Sequence, residues 1–181
     1  MTARDSRSGW RMILPNFLFF QIGWFAAVLG AANGFAWLGP VVIGIILLVH
    51  LRGAPQPRKE LQLISIVLLT GLLFESLPAM LGWVRYQGHL AATAPLWMIA
   101  LWGNFATTLN ISLRALRPHS ALLAMLGFIG GPAAYWGGVS LGALSCMEFW
   151  PVLIYLALGW AALTPVLGRL ALRLDGFRHG V

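Results

Sequence analysis

Glu75 is a carboxylic acid inside a long hydrophobic run, Leu61 to Trp83. An ionisable side chain at the centre of a bilayer costs about 2.5 to 3.5 kcal/mol on insertion scales, so it needs a partner or a purpose. Helical spacing puts Gly71, Glu75, Ala79 and Gly82 on one face, and Pro78 frees a backbone carbonyl about one turn earlier. A small-residue, broken helix of this kind can line a cavity or a path for a proton or substrate. The alternative is a carboxyl that pins the fold by hydrogen bonding to Tyr135 or to a helix amide. As a general acid or base, Glu75 would require a second positioned group, which the sequence does not identify.

A second polar cluster lies in the run Asn104, Phe105, Ala106, Thr107, Thr108, Leu109, Asn110. Asn104, Thr107 and Thr108 share a helical face, and Asn110 lies one turn from Thr107. Gln21 and Asn16 occur at matching depths in the first hydrophobic run, which predicts the pairs Gln21–Asn104 and Asn16–Asn110. Such amide and hydroxyl groups also serve as ordinary glue between membrane helices, at about 0.6 kcal/mol each.

Other chemistries find no footing. His50, His89, His119 and His179 fall at the edges of hydrophobic runs or in connections, Cys146 is the single cysteine, and no HExxH motif is present. We therefore expect no metal site and no cofactor. No strand is expected, so no glycine-rich phosphate loop either.

Six hydrophobic stretches must position these groups: approximately 12–35, 36–51, 61–83, 94–113, 121–144 and 150–170. Of the 181 residues, 59% are hydrophobic and 9% charged, leaving no polar surface for a water-soluble domain. A helix needs roughly 20 residues to cross a bilayer, so the whole chain, 1–181, reads as one integral membrane domain. The fold class expected is all-α, a polytopic bundle of six transmembrane helices. The basic start of the first stretch resembles a signal peptide, but its length and internal amides favour an uncleaved span.

The net charge of +7 could suggest nucleic acid, but placement decides otherwise. With six spans, every Lys and Arg except Arg85 falls on one side, which by the positive-inside rule is the cytoplasm. Both termini then lie inside, and no nucleic-acid partner is expected. Trp37, Trp83, Trp97 and Trp150 fall near the outer interface and Trp10 near the inner one, as aromatic belts do.

Lipid removes the usual hydrophobic drive for helix association, so small residues must allow close backbone contact. Gly23, Ala27, Gly30 and Gly34 form such a stripe in the first span, and Gly127, Gly131 and Gly138 in the fifth. Both are expected to face neighbouring helices inside the monomer; a dimer interface is the competing reading, and the oligomeric state stays open.

The stretches Asn16 to Gly34, Phe105 to Leu113 and Gly130 to Leu144 resemble an uncharacterised family of small bacterial inner-membrane proteins, known as a domain of unknown function. The resemblance implies residence in the bacterial inner membrane and an acidic residue at the position of Glu75. It also implies a His where this chain has Ile111, a departure that weakens any base or ligand role for the fourth span. Genes for fatty-acyl modification of phospholipids often neighbour the family, which implies an accessory role in lipid modification. The leading expectation is a non-enzymatic protein that binds or moves a small apolar or lipid-like molecule, or that scaffolds a membrane enzyme. An intramembrane enzyme acting on acyl chains through Glu75, and a structural subunit of a membrane complex, are the alternatives. Its partners are expected to be the lipid bilayer and either a lipid-like ligand or another membrane protein.

Overall fold

The computed structural model describes residues 3–88 and 93–178, with side chains from Met12 onward. The side chains of Arg4, Arg7, Trp10 and Arg11, and the whole of His89 and His179, lie outside the described residues.

Six α-helices follow one another: α1 Ala3–Ala32, α2 Leu38–Gly53, α3 Pro57–Met80, α4 Leu96–Leu109, α5 Ser120–Ser140 and α6 Phe149–Arg173. Met12–Ala32 of α1, together with α3, α5 and α6, are long and apolar enough to cross a membrane. The 16 residues of α2 and 14 of α4 rise about 24 Å and about 21 Å, less than a full hydrocarbon core. The fold is therefore all-α with six helices, and the protein is a multi-pass membrane protein.

Three of the helices stop by the same device at the same end of the bundle. Gly34, Gly82 and Gly142 adopt φ of +82°, +70° and +82°, a conformation open to glycine because it lacks a Cβ. Each lets the next amide turn back onto the helix: Phe35 N donates to Gly30 O at 2.7 Å, Trp83 N to Pro78 O at 2.9 Å and Ala143 N to Gly138 O at 2.9 Å. These are Schellman closures of the helix carboxyl ends. They end α1, α3 and α5 a few residues short of the predicted limits at 35, 83 and 144. Gly34 thus serves the turn after α1 rather than helix packing.

Beyond two of these glycines the chain forms strands, contrary to the expectation of none. β1 Val84–Tyr86 pairs antiparallel with β2 Leu144–Cys146, Arg85 opposite Ser145. The segments Leu81-Gly82-Trp83-Val84-Arg85-Tyr86 and Leu141-Gly142-Ala143-Leu144-Ser145-Cys146 are two copies of one helix–cap–strand device. The ladder extends through Gln87 N to Ala143 O at 2.9 Å and Met147 N to Trp83 O at 2.8 Å. It ties the α3–α4 connection to the α5–α6 connection.

At the opposite end the α2–α3 connection, the α4–α5 connection and the segment after α6 meet. Gln56 N donates to Gly176 O at 2.9 Å, and Asp175 accepts from Arg117 at 2.9 Å and Arg114 at 3.3 Å. α4 stops at Leu109, short of the predicted 113. There the Thr108 carbonyl accepts from Ile111 N at 3.2 Å and Leu113 N at 2.8 Å, winding the chain into a short 3-10 turn at Arg114–Leu116.

Helix α1 packs on α2 and α4, α3 on α4, and α5 principally on α6. Small residues make these contacts close. A Cβ on Gly39 would lie 2.6 Å from the Ala27 Cβ; one on Gly71 would collide with the Trp102 indole; those on Gly127 and Gly131 would collide with Trp160. A Cβ on Gly23 would come within 2.6 Å of the Asn104 amide, and one on Gly138 within 3.2 Å of Leu144. Gly23, Ala27, Gly127 and Gly131 thus lie against other helices of the same chain, and Gly138 against β2. Trp102 and Trp160 stack with ring centroids 4.5 Å apart and join α4 to α6.

Candidate functional site: a polar cluster at the wall of an apolar cavity

Glu75 sits on the inward face of α3, 1% exposed. Its Oε1 accepts from the Trp102 indole N–H at 3.0 Å. Its Oε2 accepts from Tyr86 at 3.0 Å and from Tyr135, and the two tyrosine hydroxyls are 2.8 Å apart. Four elements therefore converge on one carboxyl: α3, β1, α4 and α5. Burial, with the Glu75 carboxyl adding to it, pushes the Tyr86 hydroxyl above its ordinary value, which keeps it a proton donor. The carbonyl freed by Pro78 is that of Phe74, and Tyr155 donates to it at 2.7 Å.

The cluster forms part of the wall of a cavity of about 440 Å³ between α1, α4, α5 and α6. Phe17, Phe20, Trp24 and Phe25 line it from α1, Trp97, Leu101 and Phe105 from α4, Gly130 and Ala134 from α5, and Trp160 from α6. Phe17, Phe25 and Leu126 are 49%, 47% and 41% exposed, so the cavity opens sideways between α1 and α5. Gln21, Thr108 and Ser112 are further polar lining residues. A cavity of this size, mostly apolar with a few convergent polar groups, has the character of a small-molecule site.

The remaining predicted residues divide differently from expectation. Asn104 donates to the Phe20 carbonyl at 2.8 Å, one residue away from Gln21, whose side chain lines the cavity. Asn16 donates to the Thr107 carbonyl at 3.2 Å and accepts from Ser112. The expected pairs Gln21–Asn104 and Asn16–Asn110 are thus replaced by contacts to neighbouring groups between the same two helices. Depth counted from helix ends was shifted by the early end of α4, which places Asn110 beyond it. Thr107 and Thr108 donate back to the carbonyls of Asn104 and Phe105 at 2.8 and 2.7 Å, a local bond common for threonine in membrane helices.

Asn110 belongs to a second cluster that the sequence reading missed. It donates to Glu60 Oε1 at 2.6 Å and to the Leu174 carbonyl at 3.0 Å, while its own oxygen accepts from Arg117. His50 Nε2 lies 2.8 Å from Glu60 Oε2, and Gly176 N donates to Glu60 Oε1 at 2.8 Å. Glu60 is 0% exposed and Arg117 and Asp175 each 4%. These charges sit at the edges of hydrophobic runs, where they read as solvated loop residues. The one available signal was acidic residues, Glu60 and Asp175, among the arginines of the same connections.

Among the described residues, no group of three or more His, Cys, Asp or Glu side chains could hold a metal ion.

An all-helical membrane bundle with a side-opening apolar cavity and a buried carboxyl in its wall is the class of protein that fold and site define. Within that class, the chain belongs to the family described as "Protein of unknown function (DUF2878)", which matches residues 13–166. That match takes in Glu60, Glu75, Tyr86, Trp102 and Tyr135 and stops short of Asp175 and Gly176. No curated protein and no solved structure matches the chain.

Proposed function

We propose that this protein binds a single-chain or otherwise slender lipid-like molecule, taken up from the bilayer between α1 and α5 and held in the cavity beside Glu75. The observation that carries the reading is the sideways mouth. An apolar cavity open to acyl chains, with hydrogen-bonding groups at its inner wall, fits a ligand that already resides in the membrane. Six crossings in the bacterial inner membrane, both ends cytoplasmic, complete the proposal. Arg52, Arg58, Lys59, Arg114, Arg117 and Arg178 belong to the end where Gln56 meets Gly176, and Arg85 to the end with the strand ladder, which supports that orientation under the positive-inside rule. On this reading all six helices form one membrane domain, and the bound molecule is a substrate, product or carrier for lipid modification by a partner enzyme.

Filling the cavity tests the proposal. A Cβ on Gly130 meets no atom within 4 Å, so a side chain can leave the backbone there, and Gly130→Leu adds bulk at the cavity wall. Mass spectrometry of purified protein should show a co-purifying lipid in the native chain and its loss, at unchanged expression, in the variant. Equal lipid content in both would exclude the cavity as the binding place.

An enzymatic reading draws on one observation, that Tyr86 and Tyr135 supply the second titratable group Glu75 would need. Against it, Trp102, Tyr86 and Tyr135 together occupy both carboxyl oxygens, which holds Glu75 in a fixed position.

A further inference from the structure

From the chemistry of the cavity wall we infer that the ligand carries an uncharged, hydrogen-bonding head, such as a long-chain alcohol or an acylglycerol, and excludes fatty-acid anions and phosphate-bearing lipids. The inference rests on the binding proposal above and adds the substrate class. Among the described residues, no Lys, Arg or His lines the cavity, and Glu75 is the only acidic one that does. An anion brought into a water-poor site needs a cation or several donors to replace its hydration. The donors nearest to hand are already used: Trp102, Tyr86 and Tyr135 all serve Glu75.

Two described basic residues, Arg114 and Arg117, follow the lining residues of α4 closely in the chain, and both are paired with Asp175. Leu113 is a lining residue, and the next residue, Arg114, reaches Asp175 at 3.3 Å. Arg117 binds the same carboxylate at 2.9 Å. A carboxylate or phosphate head would therefore meet the Glu75 carboxyl with no compensating cation among the described lining residues.

A cationic head is disfavoured for a different reason. Recognition of quaternary ammonium groups uses aromatic faces that remain open to the ligand. Of the aromatic groups near Glu75, Trp102 and Trp160 stack on each other at 4.5 Å and Phe105 meets Trp160 edge to face at 5.3 Å, while both Glu75 oxygens that could pair with a cation already accept from Trp102, Tyr86 and Tyr135. Gln21 instead offers an amide, and the hydroxyls of Thr108 and Ser112, which donate to the Phe105 carbonyl and to Asn16, keep oxygen lone pairs that suit a hydroxyl head.

Three probes with one chain and different heads separate the possibilities: oleyl alcohol, oleate, and oleyl trimethylammonium. Each is titrated into purified full-length protein at pH 8, with bound lipid counted by native mass spectrometry and Gly130→Leu as the cavity control. The alcohol should bind at least about tenfold more tightly than either charged probe, in line with the insertion penalty for charges, and Gly130→Leu should abolish that difference. Oleate or the ammonium probe binding as well as the alcohol, in a manner sensitive to Gly130→Leu, overturns the assignment of ligand class but leaves cavity binding intact. Binding of all three unaffected by Gly130→Leu, or no binding at all, overturns both.

Discussion

Tyr135 on α5 donates its hydroxyl proton to the carboxyl of Glu75 on α3, although α5 packs principally against α6. This bond, with the Tyr86 hydroxyl 2.8 Å from that of Tyr135, holds the α5–α6 pair to the rest of the bundle across the cavity. Removing either partner therefore acts on stability and on the cavity wall together.

Glu75→Ala leaves the Trp102 indole without its acceptor in a buried site, whereas Tyr135 can still donate to Tyr86 and Tyr86 to the backbone carbonyl of residue 75. One unsatisfied buried group costs about 1 to 3 kcal/mol, so a loss of about that size is expected in reversible unfolding in mixed micelles. Glu75→Gln keeps an acceptor oxygen and should lose less than half of that. Similar losses in the two variants would show that side-chain shape and a single acceptor oxygen do not hold the site, and that the second carboxyl oxygen does.

The second cluster should behave as a buried ion pair whose loss strands a charge. Asp175→Ala leaves Arg117, 4% exposed, without its carboxylate, and breaking such a pair by one partner costs about 3 to 5 kcal/mol. Trypsin should then cut at Arg173 much faster than in the native protein. Arg114→Ala, at a side chain 47% exposed, should change stability by less than about 1 kcal/mol.

Gly71→Ala drives a methyl group into the Trp102 ring, which also donates to Glu75. Overpacking of this kind costs about 1 to 3 kcal/mol, and tryptophan fluorescence should shift as the indole is displaced. Gly44→Ala, where a Cβ meets nothing within 4 Å, should be silent or slightly stabilising because alanine favours the helix.

How much of this was open to the sequence can be judged from individual residues. Periodicity and burial cost singled out Glu75, because an isolated acid in apolar surroundings is conspicuous whatever its partners. Small-residue spacing indicated which faces of α1 and α5 make close contacts, because that spacing is a property of a single helix. Tyr86 and the strand pair were hidden. A three-residue strand directly after a hydrophobic helix adds nothing to a hydropathy pattern, and the Leu-Gly pair before each strand, at 81–82 and 141–142, also occurs inside helices at 126–127, 158–159 and 167–168. His50, Glu60, Arg117 and Asp175 were hidden for the opposite reason. Charges at helix ends are normally solvated, and their burial depends on the segment after α6 folding back over the bundle.

The position of that segment also gives a check on orientation. Gln56 and Gly176 share a backbone hydrogen bond at 2.9 Å, so the α2–α3 connection and the segment after α6 must lie on one side of the membrane. In a Cys146→Ser background, cysteines placed at Arg58 and Arg178 should both be shielded from a membrane-impermeant maleimide in intact cells, whereas one at Arg85 should react. Opposite behaviour at Arg58 and Arg178 would contradict the fold itself, and reversal of all three would contradict only the cytoplasmic assignment.

Binding of a membrane lipid in the side-opening cavity is tested most directly by photo-crosslinking in native membranes. With a benzophenone amino acid in place of Ala134, an exposed lining residue of α5, illumination should attach a molecule of lipid mass to the protein. The same group in place of Ile154, on an exposed position of α6 that does not line the cavity, should give only a diffuse mixture of bulk phospholipids. Adducts of one composition at both positions, or none at Ala134, would contradict the account.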